Sequence, residues 1–327
     1  MFASRRVPLL CAALSSLFLA AQSQAQQKQP AYPAETIRLI SPFGTGGLTD
    51  SFGRGLAIEM ARHLGQSIIV ENKPGAAGLN GTASCAAAKP DGYTICMLPI
   101  DAMSYAPHMR KTMPFDPDTA IAPIAQALYV SQALVVHKSV DAKSIRELIA
   151  LARKMPEGLH YSNSSVVHLM TMTKLAKDND IKLISVPYKS GGEATTALIN
   201  GDVKIGLFGV GNIAPFMASG DVRAIAIHGP KRPALMPDVP TMEEQGYPVG
   251  GQGWIGLAAP GGTPEPILDT LYDAAMKAMK DPEFIKRFYE GLGLDPRYMT
   301  RQEFTVFLKK DRTEAGELAR LAGIEPQ

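Results

Sequence analysis

Nowhere does the chain gather lysine and arginine into a run, and its charges nearly balance, 33 basic against 31 acidic side chains. Loss of the first 25 residues, which hold Arg5 and Arg6 but no acid, would take the formal charge from +2 to zero. A neutral chain offers no electrostatic hold on nucleic acid or an anionic membrane. Cysteine is scarce as well: Cys11 lies in the leader, leaving Cys85 and Cys96. A disulfide between them is open to a chain in an oxidising compartment. The plainer reading is two small buried apolar side chains, one on a helix and one on the next strand. The six histidines, His63, His108, His137, His160, His168 and His228, include no i, i+4 pair, so no helix-borne metal site is expected, and no cofactor. Gly-x-Ser-x-Gly, His-Glu-x-x-His and Cys-x-x-Cys are all missing, which removes the familiar catalytic frameworks. After the leader no stretch is apolar enough to span a bilayer.

What is present starts with that leader. Arg5 and Arg6, the apolar run Val7 to Ala21 and Ser23-Gln24-Ala25 have the order of a secretory signal peptide, predicted to end at residue 25. Beyond it, short apolar runs alternate with helical patterns, the arrangement of βαβ units on a mostly parallel sheet. Thr36 to Ile40 reads as a strand and Leu48 to Leu64 as a helix with one apolar face, Phe52, Leu56, Met60 and Leu64. Ser144, with Glu147 three residues on, is predicted to cap a helix. Gln126 to His137 and Val222 to His228 read as long extended segments bracketing a second series of elements. The expected layout is two lobes crossed twice by the chain: residues 26–127 with 228–327, and residues 128–227.

Three segments point to a cleft. Phe43, Gly44, Thr45, Gly46, Gly47 and Asp50 lie between the first strand and its helix, where glycine backbone and unpaired helix N–H groups make an anion site without a basic residue. Ser162, Asn163, Ser164 and Ser165, followed by His168, form the matching strand-to-helix turn of the second lobe. Ala76 and Gly78 belong to a third glycine-rich loop, and Tyr188 supplies an amphipathic wall. His168 by itself reads more readily as a packing histidine than as a base. Gly209-Val210-Gly211-Asn212-Ile213-Ala214 has the outline of a dinucleotide fingerprint, but the strand after it ends in His228-Gly229 where an acid is required.

Taken in order, these segments resemble the Bug-type substrate-binding proteins of tripartite tricarboxylate transporters. The resemblance rests on Tyr32-Pro33, Pro42-Phe43 with Gly46-Gly47 and Asp50, and Val70-Glu71-Asn72-Lys73-Pro74-Gly75-Ala76. It continues through Pro90-Asp91-Gly92-Tyr93-Thr94, Val186-Pro187-Tyr188-Lys189, Pro237-Asp238-Val239-Pro240-Thr241, and Pro260 with Gly262-Thr263-Pro264. It implies an α/β type II periplasmic-binding-protein fold with a buried interlobe cleft. It further implies a carboxylate ligand held by backbone and hydroxyls, no catalysis, and delivery by a monomer to transporter membrane subunits or to a membrane sensor. One departure stands out: the family's second-lobe loop usually runs Ser-Ser-Gly-x-Gly-x-x-x-His-Leu, whereas Ser162 to Leu169 is shorter and lacks both glycines, with Val166 and Val167 just before His168. That bulk suggests a more apolar or aromatic acid. A secreted enzyme using His168 with a nearby serine is the alternative in a different class.

Overall fold

The chain builds two sheets. Strand β1 (Ile37–Ser41) is buried at four of its five positions and pairs in parallel with β2 (Ile68–Asn72) and β3 (Thr94–Pro99). Between β1 and β2 lies α1 (Leu48–Leu64), whose Phe52, Leu56 and Met60 are at most 1% exposed, with Leu64 half-buried. Each such buried side chain contributes roughly 1.5–3 kcal/mol. Phe52 meets the rings of Phe284 and Tyr289, each with centroids 5.5 Å away. Gly65, at φ 69°, ends the helix in the left-handed conformation and returns its N–H to the Ala61 carbonyl.

This computed structural model describes residues 32–326 except 230, 249 and 250; the leader lies outside the described residues. Both sheets belong to one compact unit that begins at Glu35. The first sheet is completed by β4 (Ile121–Val130), β10 (Trp254–Pro260) and β11 (Leu294–Pro296), in the order β11-β4-β10-β3-β1-β2. Strand β10 runs antiparallel to both β3 and β4. The second sheet comprises β5 (Gln132–His137), β6 (Leu159–Asn163), β7 (Leu183–Pro187), β8 (Ile205–Gly209) and β9 (Val222–His228), in the order β7-β6-β8-β5-β9. Helices α2 (Leu79–Ala86), α3 (Ile145–Ala152), α4 (Val166–Asn179), α5 (Gly191–Asn200), α6 (Val210–Ala218), α7 (Glu265–Met279) and α8 (Arg301–Ala322) connect or cover them. Ser144 caps α3 by accepting the Glu147 N–H, as expected, while Glu147 Oε2 reaches one residue further back and accepts the Lys143 N–H instead of the Ser144 N–H of a full capping box.

The segment read as one extended run, Gln126 to His137, is instead two strands in different sheets, broken at Ser131. The chain returns to the first sheet between His228 and Trp254. Asp295 on β11 holds both crossings: it accepts from Ser131 Oγ at 3.0 Å and pairs with Lys231 Nζ at 2.9 Å.

Cys85 on α2 and Cys96 on β3 are joined in a disulfide, with Cα atoms 6.1 Å apart. The expectation of two unbonded thiols is therefore corrected. Antiparallel packing of the short helix across its own strand brings the two positions together, which their separation in sequence does not reveal. Both are fully buried beside Ile40 and Leu98. Replacing both by alanine is expected to cost about 2–3 kcal/mol of cross-link alone, read as a lowered denaturant midpoint.

Candidate functional site

The cleft begins where β1 runs out. From Ser41 the chain turns through residues 43–47 into α1, and two side chains set that turn. Asn72 Nδ2 donates to the Phe43 carbonyl at 2.9 Å and to Asp50 Oδ1 at 2.7 Å. Asp50 Oδ2 accepts the Gly46 N–H at 3.1 Å and Arg54 Nε at 3.0 Å. Burial alone would raise the Asp50 carboxyl, but the bonds from Arg54, Asn72 and Gly46 together hold it below the ordinary range. Asp50 lines the cleft, yet both its oxygens are taken by the protein, so it shapes the loop instead of presenting a free group. Gly46, at φ 81°, is exposed and turns its N–H to Asp50; it does not line the cleft. Gly44 and Gly47 do, and a Cβ added at either would meet nothing within 4 Å. The cap of α1, Gly47, brings no side chain to the helix's first N–H groups, leaving them to a ligand.

The opposite wall is built by three further helix starts. Ser165 caps α4 by accepting the His168 N–H at 3.3 Å, and Ser190 caps α5 by accepting the Glu193 N–H at 3.2 Å. Gly209, with no side chain, precedes α6 and lines the cleft with Asn212. The fingerprint-like segment thus contributes to the site through its glycine and asparagine, not as a nucleotide loop. Four helix N-termini converge on one space, and Lys189 is its single basic lining side chain among the described residues.

Phe43, Gly44, Ser164, Ser165, Lys189 and Ser190 belong both to an outer mouth and to an inner cavity of about 140 Å³. Thr45, Ala76, Gly78, Asn163 and Tyr188 line the mouth. Ala76 and Ala77 adopt φ of 49° and 53°, a conformation costing roughly 1–2 kcal/mol per L-residue, beside Gly75 and Gly78, also at positive φ. Gly78 is required there: a Cβ would lie 2.8 Å from Pro99 Cγ. The inner cavity has apolar walls, among them Ile100, Val130, Val167, Phe208 and Trp254. Of the two valines flagged by the altered loop, Val167 lines this cavity and Val166 the mouth. Trp254 is fixed from behind by its Nε1 donating to Asp311 Oδ2 at 2.8 Å and by edge contacts with Phe304 and Phe307.

Ser162, like Gly46, is a sequence-predicted site residue that does not line the cleft. It is the fourth residue of β6 and fully buried, and its Oγ lies where a Gly206 Cβ would point, outside the cleft. Alternation along the strand sends Ser162 and Asn163 to opposite faces.

Sequence reasoning missed Gln132 and Asp101. Gln132 is the polar residue inside an apolar stretch at the crossing between sheets, and its Nε2 lies 2.7 Å from His168 Nε2. Its Oε1 is 3.4 Å from His228 Nδ1, while His168 Nδ1 is 3.4 Å from Ser164 Oγ. A chain of hydrogen bonds therefore runs from His228 through Gln132 and His168 to Ser164. Burial, with the His228 charge nearby, pushes His168 down to about 3. A neutral imidazole so reluctant to take a proton is a poor base for Ser164, and its first partner is an amide. Asp101 opens the π-helical turn Asp101–Tyr105 directly after β3, and burial pushes its carboxyl up to about 7 against the N–H groups of Val167 and Val166. Among the described residues no cluster of metal-binding side chains occurs, and no helix is long and apolar enough to cross a membrane.

Two α/β lobes with a cleft at their double crossing define the architecture of periplasmic solute-binding proteins. The chain belongs to the tripartite tricarboxylate transporter family receptors, whose family model matches residues 52–324. It is 33% identical over 303 residues to a UPF0065 protein encoded in the gbd 5' region of Cupriavidus necator, covering 91% of this chain and 90% of that one. Among solved structures, the periplasmic binding protein BugD shares 30% identity at a TM-score of 0.84, covering 90% of this chain and 100% of the other. The R. palustris protein Rpa4515 with adipate shares 25% at 0.85, over 90% of this chain and 100% of the other. MatC from Rhodopseudomonas palustris with bound malate shares 27% at 0.81, over 88% and 99%.

Proposed function

We propose that this protein captures a small organic acid in the periplasm and delivers it to the membrane subunits of a tripartite transporter. The observation that carries the reading is the convergence of the α1, α5 and α6 N-termini on a cleft with one lysine, opposite the α4 N-terminus that faces Asp101. Oriented backbone N–H groups and the Ser164 hydroxyl suit a carboxylate whose apolar remainder fills the inner cavity. The adipate and malate bound by two structural neighbours support the ligand class, and the leader at residues 1–25 supports export. Lobes divided at residues 127/128 and 227/228 would leave Gln132 close to one hinge and His228 at the other, so that closure buries the acid between them.

Small molecules released by denaturing protein that was purified without refolding test this reading. Mass spectrometry is expected to find one organic acid retained by the chain and absent from a Gly47→Leu control. Retention of a compound without an acidic group would overturn the reading.

A further inference from the structure

Two carboxylates line the inner cavity, and they differ in what they touch. Both oxygens of Asp50 accept bonds from the protein. Asp101 is 3% exposed and faces the Val167 and Val166 N–H groups, yet its Oδ1 is buried without a hydrogen-bond partner. An unmet buried acceptor is disfavoured, and a ligand group able to donate to it would relieve that cost. Among the described residues no lysine or arginine pairs with Asp101. Tyr105 lies one turn on, and Asp311 of α8, bonded to Ser104 and Trp254, faces Tyr105. The second lobe brings the neutral His168, Gln132 and the Val166 and Val167 backbone. Lys189 stands at the mouth, where it also lines the outer space.

We propose that Asp101 sets the ligand class: a monocarboxylate that carries a hydrogen-bond donor, such as a hydroxyl or amine, at the end far from its carboxylate. This rests on the carboxylate reading above, with the acid group at the helix N-termini and the far end against Asp101. A dicarboxylate would place its second negative charge against a carboxylate with no compensating cation. A protonated Asp101 removes that repulsion, so dicarboxylate binding should weaken as pH rises through neutrality.

Calorimetric titration at about pH 8 would compare ω-hydroxy acids, ω-amino acids and α,ω-dicarboxylates of matched length, together with 4-hydroxybenzoate and terephthalate, on wild type and Asp101→Asn. Wild type is expected to favour the donor-bearing acid of a matched pair by roughly tenfold or more, about the worth of one hydrogen bond to a charged group. In Asp101→Asn that preference should shrink to within about threefold. The wild-type ratio, measured at about pH 6 as well, needs no variant to fold. Equal or tighter dicarboxylate binding by wild type at both pH values overturns the inference and leaves the carboxylate reading standing. Binding of no acid by either protein overturns the carboxylate reading, and the inference with it.

Discussion

Ligand-free Asp101→Asn and His168→Gln proteins are expected to lose stability in opposite directions of pH. Asp101 rises from an ordinary value of 3.8 to about 7 on burial, so between those values the folded chain holds a proton that the unfolded chain has released. Its contribution is fully present below about 4 and is lost as pH rises through 7. His168 falls from 6.5 to about 3, so the unfolded chain binds a proton that the folded one refuses. Its contribution is present above about 6.5 and is lost as pH falls toward 3. Each span of about three units corresponds to about 4 kcal/mol as an order of magnitude. In wild type the two oppose each other between about pH 4 and 6.5 and largely cancel. Asp101→Asn leaves His168 unopposed, so its stability relative to wild type falls on acidification. His168→Gln leaves Asp101 unopposed and should instead weaken as pH rises. Urea midpoints across that range check both slopes; variants running parallel to wild type would show that the two groups titrate as they do in the unfolded chain.

Gly47→Leu is expected to abolish ligand binding with little effect on the fold. Its φ of −82° suits any residue, and a Cβ there meets nothing within 4 Å. The new side chain therefore projects into the space over the first N–H groups of α1, which the proposed carboxylate needs. Affinity should fall at least 100-fold, while replacing a glycine cap costs at most about 1 kcal/mol of stability. Gly78→Ala should do the reverse in character, because φ is 88° and Pro99 and Pro42 close on the added carbon. Titration and thermal unfolding of the two variants separate a glycine kept open for a ligand from one required by packing. A Gly47→Leu protein that binds like wild type would remove α1 from the site.

Local signals carried far into this fold. The four-residue spacing of Phe52, Leu56 and Met60 and the Ser144–Glu147 pair were readable because each acts within one element. The helix-start loops were readable for the same reason, since glycine and serine between a strand and a helix leave backbone donors exposed. What failed needed the third dimension. Ser131 ends one strand and Gln132 starts another in a different sheet, a break that apolar patterning from Ile124 to Val136 conceals. Ser162 reads as part of a turn, and only the extension of β6 to Asn163 puts it inside the strand. Asp101 and Gln132 become notable only when β3 and β5 deliver them to one cavity with His168, residues from opposite lobes.

Thermal unfolding of residues 26–327 against mono- and dicarboxylates, hydroxy and aromatic acids, amides and amino acids tests the central claim most directly. A binding acid at 100 times its dissociation constant should add about 2.7 kcal/mol, a rise of several degrees in Tm. Such a rise is expected from one class of acid and should be missing in Gly47→Leu. A rise of the same size with the matching amide, or one that survives in Gly47→Leu, would contradict carboxylate capture at the helix N-termini.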